Sequence, residues 1–232
     1  RESWSANIVR EGHATRFIAA GGSPTEIIVG DGHLGMERPP TILQRRKADS
    51  TVYGNVVDVS DTVKSHVKSV RQEGGLGKGY ALLEIQTVRG TDSCFSAFSP
   101  GTYKVGGITT DAQQAFVIRD GKTVRALYLG GGTVLESDGV MLKRSAPGLA
   151  YLELMENGSY AVANPSSSNV VLTIRHPGLA GKKAYRLDHE GRRLGEVEGV
   201  KIAAGMVELT LQGAAQVEFA APGVMGLHES RQ

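Results

Sequence analysis

The strongest structural signal in this chain comes from three successive segments, AFVIRDGKTVRALYL (residues 115–129), TVLESDGVMLKR (133–144) and LELMENGSYAVA (152–163). In each of them an Asp-Gly or Asn-Gly pair separates two runs rich in Val, Leu, Ile or Tyr. Such a pair supplies the two positive φ angles that a two-residue hairpin turn requires, and the flanking residues favour strands. Three hairpins in such close succession predict an antiparallel β fold.

The remainder of the sequence supports the same fold class. Glycine accounts for 31 of the 232 residues and aromatic residues for only 6%, which is typical of many tight turns between short strands. Only residues 62–70 carry a weak helical spacing, and no long helical pattern alternates with the strands, so a βαβ fold is not expected. We predict an all-β protein: an antiparallel β-sandwich, or large sheet assembly, over residues 1–146, followed by a smaller antiparallel β domain over residues 147–232.

Composition excludes several classes of function. The 26 basic and 24 acidic residues leave a net charge of +2, which is too balanced for a general nucleic-acid binder. No run approaches about 18 consecutive apolar residues, so we expect no membrane span and no membrane partner. Cys94 is the single cysteine, so it forms no internal disulfide, and we expect a buried structural thiol.

Catalytic and metal-binding motifs are weak. None of the six histidines has another His at a metal-ligand spacing, and no cluster of His, Cys, Asp and Glu appears, so we predict no metal site in this chain. No Gly-x-Ser-x-Gly nucleophile elbow is present. His33 and His13 are weak catalytic candidates because each follows a glycine in a predicted loop, and an ordinary surface histidine is the favoured alternative for both.

One basic group stands out next to Pro39-Pro40. Arg38, Arg45 and Arg46 lie within ten residues of each other, with Lys47 following. Because a guanidinium binds carboxylates and sulfates through two parallel hydrogen bonds, these arginines are weak candidates for binding an acidic polysaccharide. A merely solvated basic face is the open alternative.

The order of several segments resembles the C-terminal β-sandwich region of heparinase II/III-like polysaccharide lyases. The resemblance rests on RPPTILQRR (38–46), YGNVVDV (53–59), TTDAQQAFV (109–117) and LYLGGGT (127–133). Residues 147–232, with Asn164-Pro165 and residues 185–188, are similar to the small terminal β domain of these enzymes.

This resemblance implies that the complete enzyme cleaves a uronic-acid-containing polysaccharide, of the alginate or glycosaminoglycan type, by β-elimination. An N-terminal α/α toroid is then expected to supply the Tyr and His that move protons and a group that neutralises the uronate carboxylate. Since this sequence has no helical toroid, no catalytic residue is carried over, and we expect this chain alone to be inactive.

The resemblance has further consequences. The chain is expected to be a piece of a longer polypeptide or a mature chain after cleavage, with the toroid portion of the same polypeptide and an acidic polysaccharide as partners. The expected location is periplasmic or secreted. No cofactor is predicted, and a metal ion in the complete enzyme stays open.

Two other functions remain open. One is a noncatalytic carbohydrate-binding module, which would need exposed aromatic rings to stack on sugars. The single Trp and the scattered tyrosines weaken that hypothesis, with Tyr80 and Tyr103 as the rings to test. The other is a structural β-sandwich module without a ligand.

Overall fold

The computed structural model describes residues 3–10, 13–21, 24–31, 40–60 and 65–224. Its regular structure consists of antiparallel strands and two single-turn 3₁₀ helices, Leu76–Lys78 and Pro177–Leu179. The strands are β1 Trp4–Arg10, β2 His13–Ala19, β3 Glu26–Asp31, β4 Pro40–Arg45, β5 Asn55–Ser60, β6 Val67–Gly75, β7 Tyr80–Thr87, β8 Thr91–Ala97, β9 Tyr103–Val105, β10 Ile108–Thr110, β11 Gln114–Asp120, β12 Thr123–Ser137, β13 Val140–Leu154, β14 Tyr160–Asn164, β15 Val170–Arg175, β16 Lys183–Leu187, β17 Arg193–Glu196, β18 Met206–Leu211 and β19 Ala215–Ala220. The prediction of an all-β, sandwich-like fold is confirmed.

The three predicted hairpins organise the centre of the molecule. Gly121-Lys122 joins β11 to β12, Asp138-Gly139 joins β12 to β13, and a longer turn that contains Asn157-Gly158 joins β13 to β14. The expected pair of positive φ angles occurs only at the second turn, because φ is positive for Gly121 and Gly158 but not for Asp120 or Asn157. At the second turn the φ angles are +50° for Asp138 and +78° for Gly139, as a two-residue hairpin turn requires.

The β12–β13 hairpin bends, and the bend creates the sandwich. The first half of β12 pairs with β11 and the second half of β13, whereas its second half pairs with β10 and the first half of β13. The register breaks on both sides of Gly132, where an added Cβ would lie 2.5 Å from the Cα of Ala112, so the close approach requires glycine. Strands that bend in this way carry one sheet into two facing layers.

Each layer contributes one face to a common core. The first layer follows the order β17-β16-β19-β14-β13-β12-β11-β8-β7-β6, and the second comprises β9, β10, β15, β18 and the neighbouring halves of β12 and β13. The core between them is aliphatic with a few rings, and its fully buried members include Leu82, Phe95, Ile108, Leu127, Leu135, Leu142, Leu152, Leu172, Ile174 and Phe219. Alternation along each strand places these residues inward.

A buried arginine and an aspartate stabilise the bend through hydrogen bonds. Arg144 is 3% exposed and donates to the carbonyls of Ala146 and Leu149 and to the hydroxyl of Ser166. Asp111 accepts from the amides of Thr133 and Val134, at 2.7 and 2.9 Å. Burial by itself would raise the pKa of Asp111, but the Thr133 hydroxyl and these amides hold it below its ordinary value.

A third, smaller layer covers part of the outer side of the first. The sheet β1-β2-β5 packs on β6 and β7, where Ile18 meets Val67 and Val70 with Leu83 alongside. Strands β3 and β4 form a separate hairpin. On the outer side of β11, beside this layer, the described part of the chain leaves Phe116 and Ile118 exposed.

The structure bears on three expectations about the chain's organisation. The predicted boundary after residue 146 falls inside β13, at the bend, and the division into two domains stays a prediction. Of the segment with a weak helical spacing, Val67–Val70 belongs to strand β6. Nowhere in the described ranges is there a helix with the length and apolar character needed to cross a membrane.

Candidate functional site

The open outer side of β11–β13 carries a row of aromatic rings. Phe116 on β11 pairs with Tyr128 on β12, which pairs with Tyr151 on β13, so all three side chains lie on the same side of the sheet. The Tyr128 and Tyr151 ring centres are 5.7 Å apart, and Phe116 is 45% exposed. We call Phe116, Tyr128 and Tyr151 the aromatic row.

Polar partners fix the two tyrosines. The Tyr128 hydroxyl donates to Glu153 at 2.9 Å, and the Gln216 amide donates to the Tyr151 hydroxyl. Burial and then the hydrogen bond to Glu153 raise the pKa of Tyr128 to about 12, and burial followed by the Glu153 charge raises the pKa of Tyr151. Both phenols are therefore protonated at neutral pH and act as oriented rings and hydrogen-bonding groups rather than as bases.

A cavity lies on the aromatic row, and a larger one adjoins it. The cavity on the row has a volume of about 230 Å³ and is walled by Leu149 and Pro165. The neighbouring cavity, of about 710 Å³, is lined by Phe98, Gln113 and several small polar residues. Gln114 lines both, so the two are adjacent. We call the larger cavity the amide pocket.

At the opposite end of the row lies a pocket with several charges. Its volume is about 300 Å³. Ile118 and Glu153 line it, and each is two residues along its strand from a member of the aromatic row. Its charged or titratable lining residues are His66, Arg89, Asp92, Arg119, Arg125 and Glu153. We call it the charged pocket.

The amide pocket, the aromatic row and the charged pocket follow one another along the outer side of β11–β13, and we call them together the outer groove. From Gln114 to Ile118 its floor on β11 spans about 14 Å at the ordinary rise of a strand. This length accommodates more than one sugar ring in line. Flat rings in the middle, amides at one end and mixed charges at the other are features of a site for a hydroxylated, charged chain molecule.

Two of the predicted arginines, Arg45 and Arg46, lie elsewhere and form contacts with neighbouring residues. Arg45 on β4 pairs with Glu26 across the β3–β4 hairpin, at 2.6 Å. Arg46 donates to the Thr25 hydroxyl at 2.6 Å and to the Val52 carbonyl at 2.7 Å, and its guanidinium lies over the Tyr53 ring. Neither lines the outer groove, and their role in binding substrate stays a prediction.

Three further sequence-based candidates, His13, His33 and Arg38, and the single cysteine have no role assigned by the described structure. His33 and Arg38 lie outside the described residues, and His13 is the first residue of β2. Cys94 lies on the outer side of β8, opposite Phe116, and is half-buried rather than fully buried. Its burial raises the pKa of the thiol.

Tyr80 and Tyr103, the rings singled out for carbohydrate binding, have an interior role. Both pack against the fully buried Phe95, with ring centres 6.0 and 5.2 Å away. The rings of the aromatic row were missed because their alignment depends on strand register. His66 was likewise passed over, and it lines the charged pocket.

Among the described residues, no group of three or more His, Cys, Asp or Glu side chains is arranged to hold a metal ion.

Comparisons with known proteins add no assignment. No protein-family model matches the chain, and a search of curated proteins finds no match to it.

Proposed function

We propose that this chain is the substrate-binding β-sheet part of a polysaccharide lyase that cleaves a uronic-acid-containing polysaccharide by β-elimination. The observation that carries the proposal is the outer groove, in which the aromatic row leads into a pocket with arginines and carboxylates. The all-β architecture and the resemblance to heparinase II/III-like lyases support the same assignment. In this proposal the main catalytic groups belong to an N-terminal toroid of the same polypeptide, which acts in the periplasm or outside the cell.

The chemistry explains why a binding face matters. In β-elimination a base takes the proton at C5 of the uronate, the bond from C4 to the glycosidic oxygen breaks, and that oxygen takes up a proton. The C5 proton is acidic enough only when the neighbouring carboxylate is neutralised or hydrogen-bonded. When the polysaccharide lies flat on the aromatic rings, each sugar ring has a fixed position relative to the base. This lowers the entropic part of the activation barrier.

Two measurements test the proposal. Titration of the isolated chain with alginate and glycosaminoglycan oligosaccharides is expected to show binding, and ultraviolet absorbance is expected to show no unsaturated product. The polypeptide with its N-terminal portion is expected to release that product from at least one uronate polymer. Absence of product from this longer polypeptide across the whole uronate panel would contradict the lyase assignment.

A noncatalytic carbohydrate-binding module is the second candidate. The open aromatic row favours it, because exposed rings on a sheet face suffice to bind sugars without any reaction. Fold alone does not separate the two functions. Oligosaccharide binding together with lack of activity in the longer polypeptide would favour this second function.

A further inference from the structure

The charged pocket has features that the rest of the outer groove lacks. It lies where the turn between β7 and β8 approaches β11, β12 and the end of β13. The Thr87 hydroxyl accepts from the amides of Arg89 and Gly90, at 3.2 and 3.1 Å, and so shapes this turn. Arg89 is therefore presented at the rim by a fixed backbone, with its side chain exposed.

Arg125 is directed into the pocket by an irregularity in the sheet. Ile118 pairs with Ala126, and the next residue, Arg119, pairs with Val124, so Arg125 is the extra residue of a β-bulge. Bulges re-aim side chains and are frequent beside functional sites. Among the described residues the Arg125 guanidinium has one hydrogen-bond partner, the Leu154 carbonyl at 3.2 Å, and a guanidinium has five N–H donors.

Arg119, the third arginine of the charged pocket, is bound to other side chains of the protein. Arg119 pairs with Asp138 at 2.9 Å and also donates to the hydroxyls of Ser93 and Ser137. In contrast, no acidic residue in the described part of the chain forms an ion pair with Arg89 or Arg125. Both arginines therefore line the cavity without a direct ion-pair partner among the described residues.

Two carboxylates share the pocket with these arginines. Asp92 accepts from the Arg119 amide at 2.9 Å, and Glu153 accepts from the Tyr128 hydroxyl at 2.9 Å. Each keeps further acceptor capacity, because a carboxylate offers about four lone-pair sites. Such a lining suits a ligand that carries one negative charge and several hydroxyl donors, whereas a densely charged anion would be repelled by the carboxylates.

We infer that the charged pocket is the subsite that holds one uronic acid ring, with Arg89 and Arg125 binding its carboxylate and Asp92 and Glu153 accepting its hydroxyls. The inference rests on the proposed function, since the aromatic row must hold the neighbouring rings of the same polysaccharide. It makes the carboxylate, rather than a sulfate ester, the group that this protein recognises. The planar guanidinium fork matches the geometry of a carboxylate.

The test compares a charged oligosaccharide with its neutral counterpart. The probes are a mannuronate tetramer from alginate and a hyaluronan tetrasaccharide, each with its fully methyl-esterified form, titrated calorimetrically. We expect esterification to weaken binding at least about 10-fold, which is about 1.4 kcal/mol. We expect Arg125→Gln and Arg89→Gln each to weaken binding of the acid about 10-fold and to leave binding of the ester unchanged.

Controls keep this test interpretable. Arg186→Gln removes an exposed arginine on β16 that lines none of the three cavities of the outer groove, and it should change neither affinity. Melting temperatures of all variants verify that they fold. Equal affinity for acid and ester, unchanged affinity in both arginine variants, or tighter binding of a sulfated neutral tetrasaccharide would overturn the inference.

Failure of the inference and failure of the proposed function give different results. If Phe116→Ala weakens binding whereas both arginine variants bind as the original chain does, the aromatic row remains a binding site and the inference about the charged pocket is wrong. If the original chain binds neither the acids nor their esters, the proposed function is wrong and the inference falls with it.

Discussion

The two sides of β11–β13 show how one set of strands serves two purposes. On the inner side Val117, Leu127 and Leu152 are at most 2% exposed and pack into the aliphatic core. On the outer side Phe116 is 45% exposed and lines a cavity beside Tyr128 and Tyr151. Successive side chains of a strand point to opposite sides. Alternate residues of the same strand therefore contribute to the core and to the candidate binding surface.

The largest effect is expected from charging the inner side. Val117→Asp places a carboxylate in a core without partners, so we expect a loss of more than about 4 kcal/mol or failure to fold. Phe116→Asp, one residue earlier on the outer side, is expected to lose less than about 2 kcal/mol. Urea denaturation of both variants makes the comparison, and similar losses would show that the two sides are not separated in this way.

Further along the first layer, at β19, the outer side of the sheet contains a buried ion pair. Glu218 on β19 is 1% exposed and pairs with Arg193 at 2.8 Å. Burial alone would raise the pKa of Glu218, but the hydrogen bond from Arg193 and those from Ser159 and Asn157 hold it below its ordinary value. We expect Glu218→Gln to cost about 3 kcal/mol at neutral pH, because it leaves Arg193 without its counter-charge.

The pH dependence of this ion pair has a definite sign. A carboxyl group whose pKa is lowered by folding stabilises the protein above its unfolded pKa, about 4.3, and this stability is lost as pH falls through the folded pKa. The free energy of unfolding of the original chain should therefore decline more steeply below about pH 5 than that of Glu218→Gln. Parallel declines in chemical denaturation from pH 7 to pH 3 would argue against this role.

A smaller effect, on binding rather than stability, is expected from the aromatic row. Phe116→Ala removes a ring that would cover a sugar, and we expect affinity for an acidic tetrasaccharide to fall about 10-fold. Leu194→Ala on β17 is a matched control, because Leu194 is 62% exposed and lines none of the groove's cavities. Equal affinities of the two variants in calorimetry would remove the aromatic row from the binding site.

The smallest effect is expected in the β3–β4 hairpin. Arg45 and Glu26 are both largely exposed, and such pairs contribute about 0–1 kcal/mol. Arg45→Gln should therefore lower the free energy of unfolding by less than about 1 kcal/mol and leave oligosaccharide affinity unchanged. A clear loss of affinity would show that the basic group of Arg38, Arg45 and Arg46 belongs to the binding site.

The hairpins could be predicted, whereas the outer groove could not. Asp138-Gly139 and the glycine-containing turns of the other two hairpins depend on local φ preferences, which act within a few residues. Whether Tyr128 lies opposite Phe116 depends on the bulge at Arg125, which shifts the register by one residue. A shift of one residue turns every later side chain to the other side of the sheet, so the aromatic row is not visible from the spacing of its members.

The amino-acid sequence by itself determined that this chain is made of antiparallel strands, because alternation and Asp-Gly and Asn-Gly turns are local properties. Only the tertiary structure decided which residues face outward together. The bend at Gly132, the bulge at Arg125 and the cover provided by β1, β2 and β5 set which part of the sheet stays open. These features arise from pairing between distant segments. The arginines proposed to bind a ligand in one cavity, Arg89 and Arg125, are therefore not the ones that lie close together in the sequence.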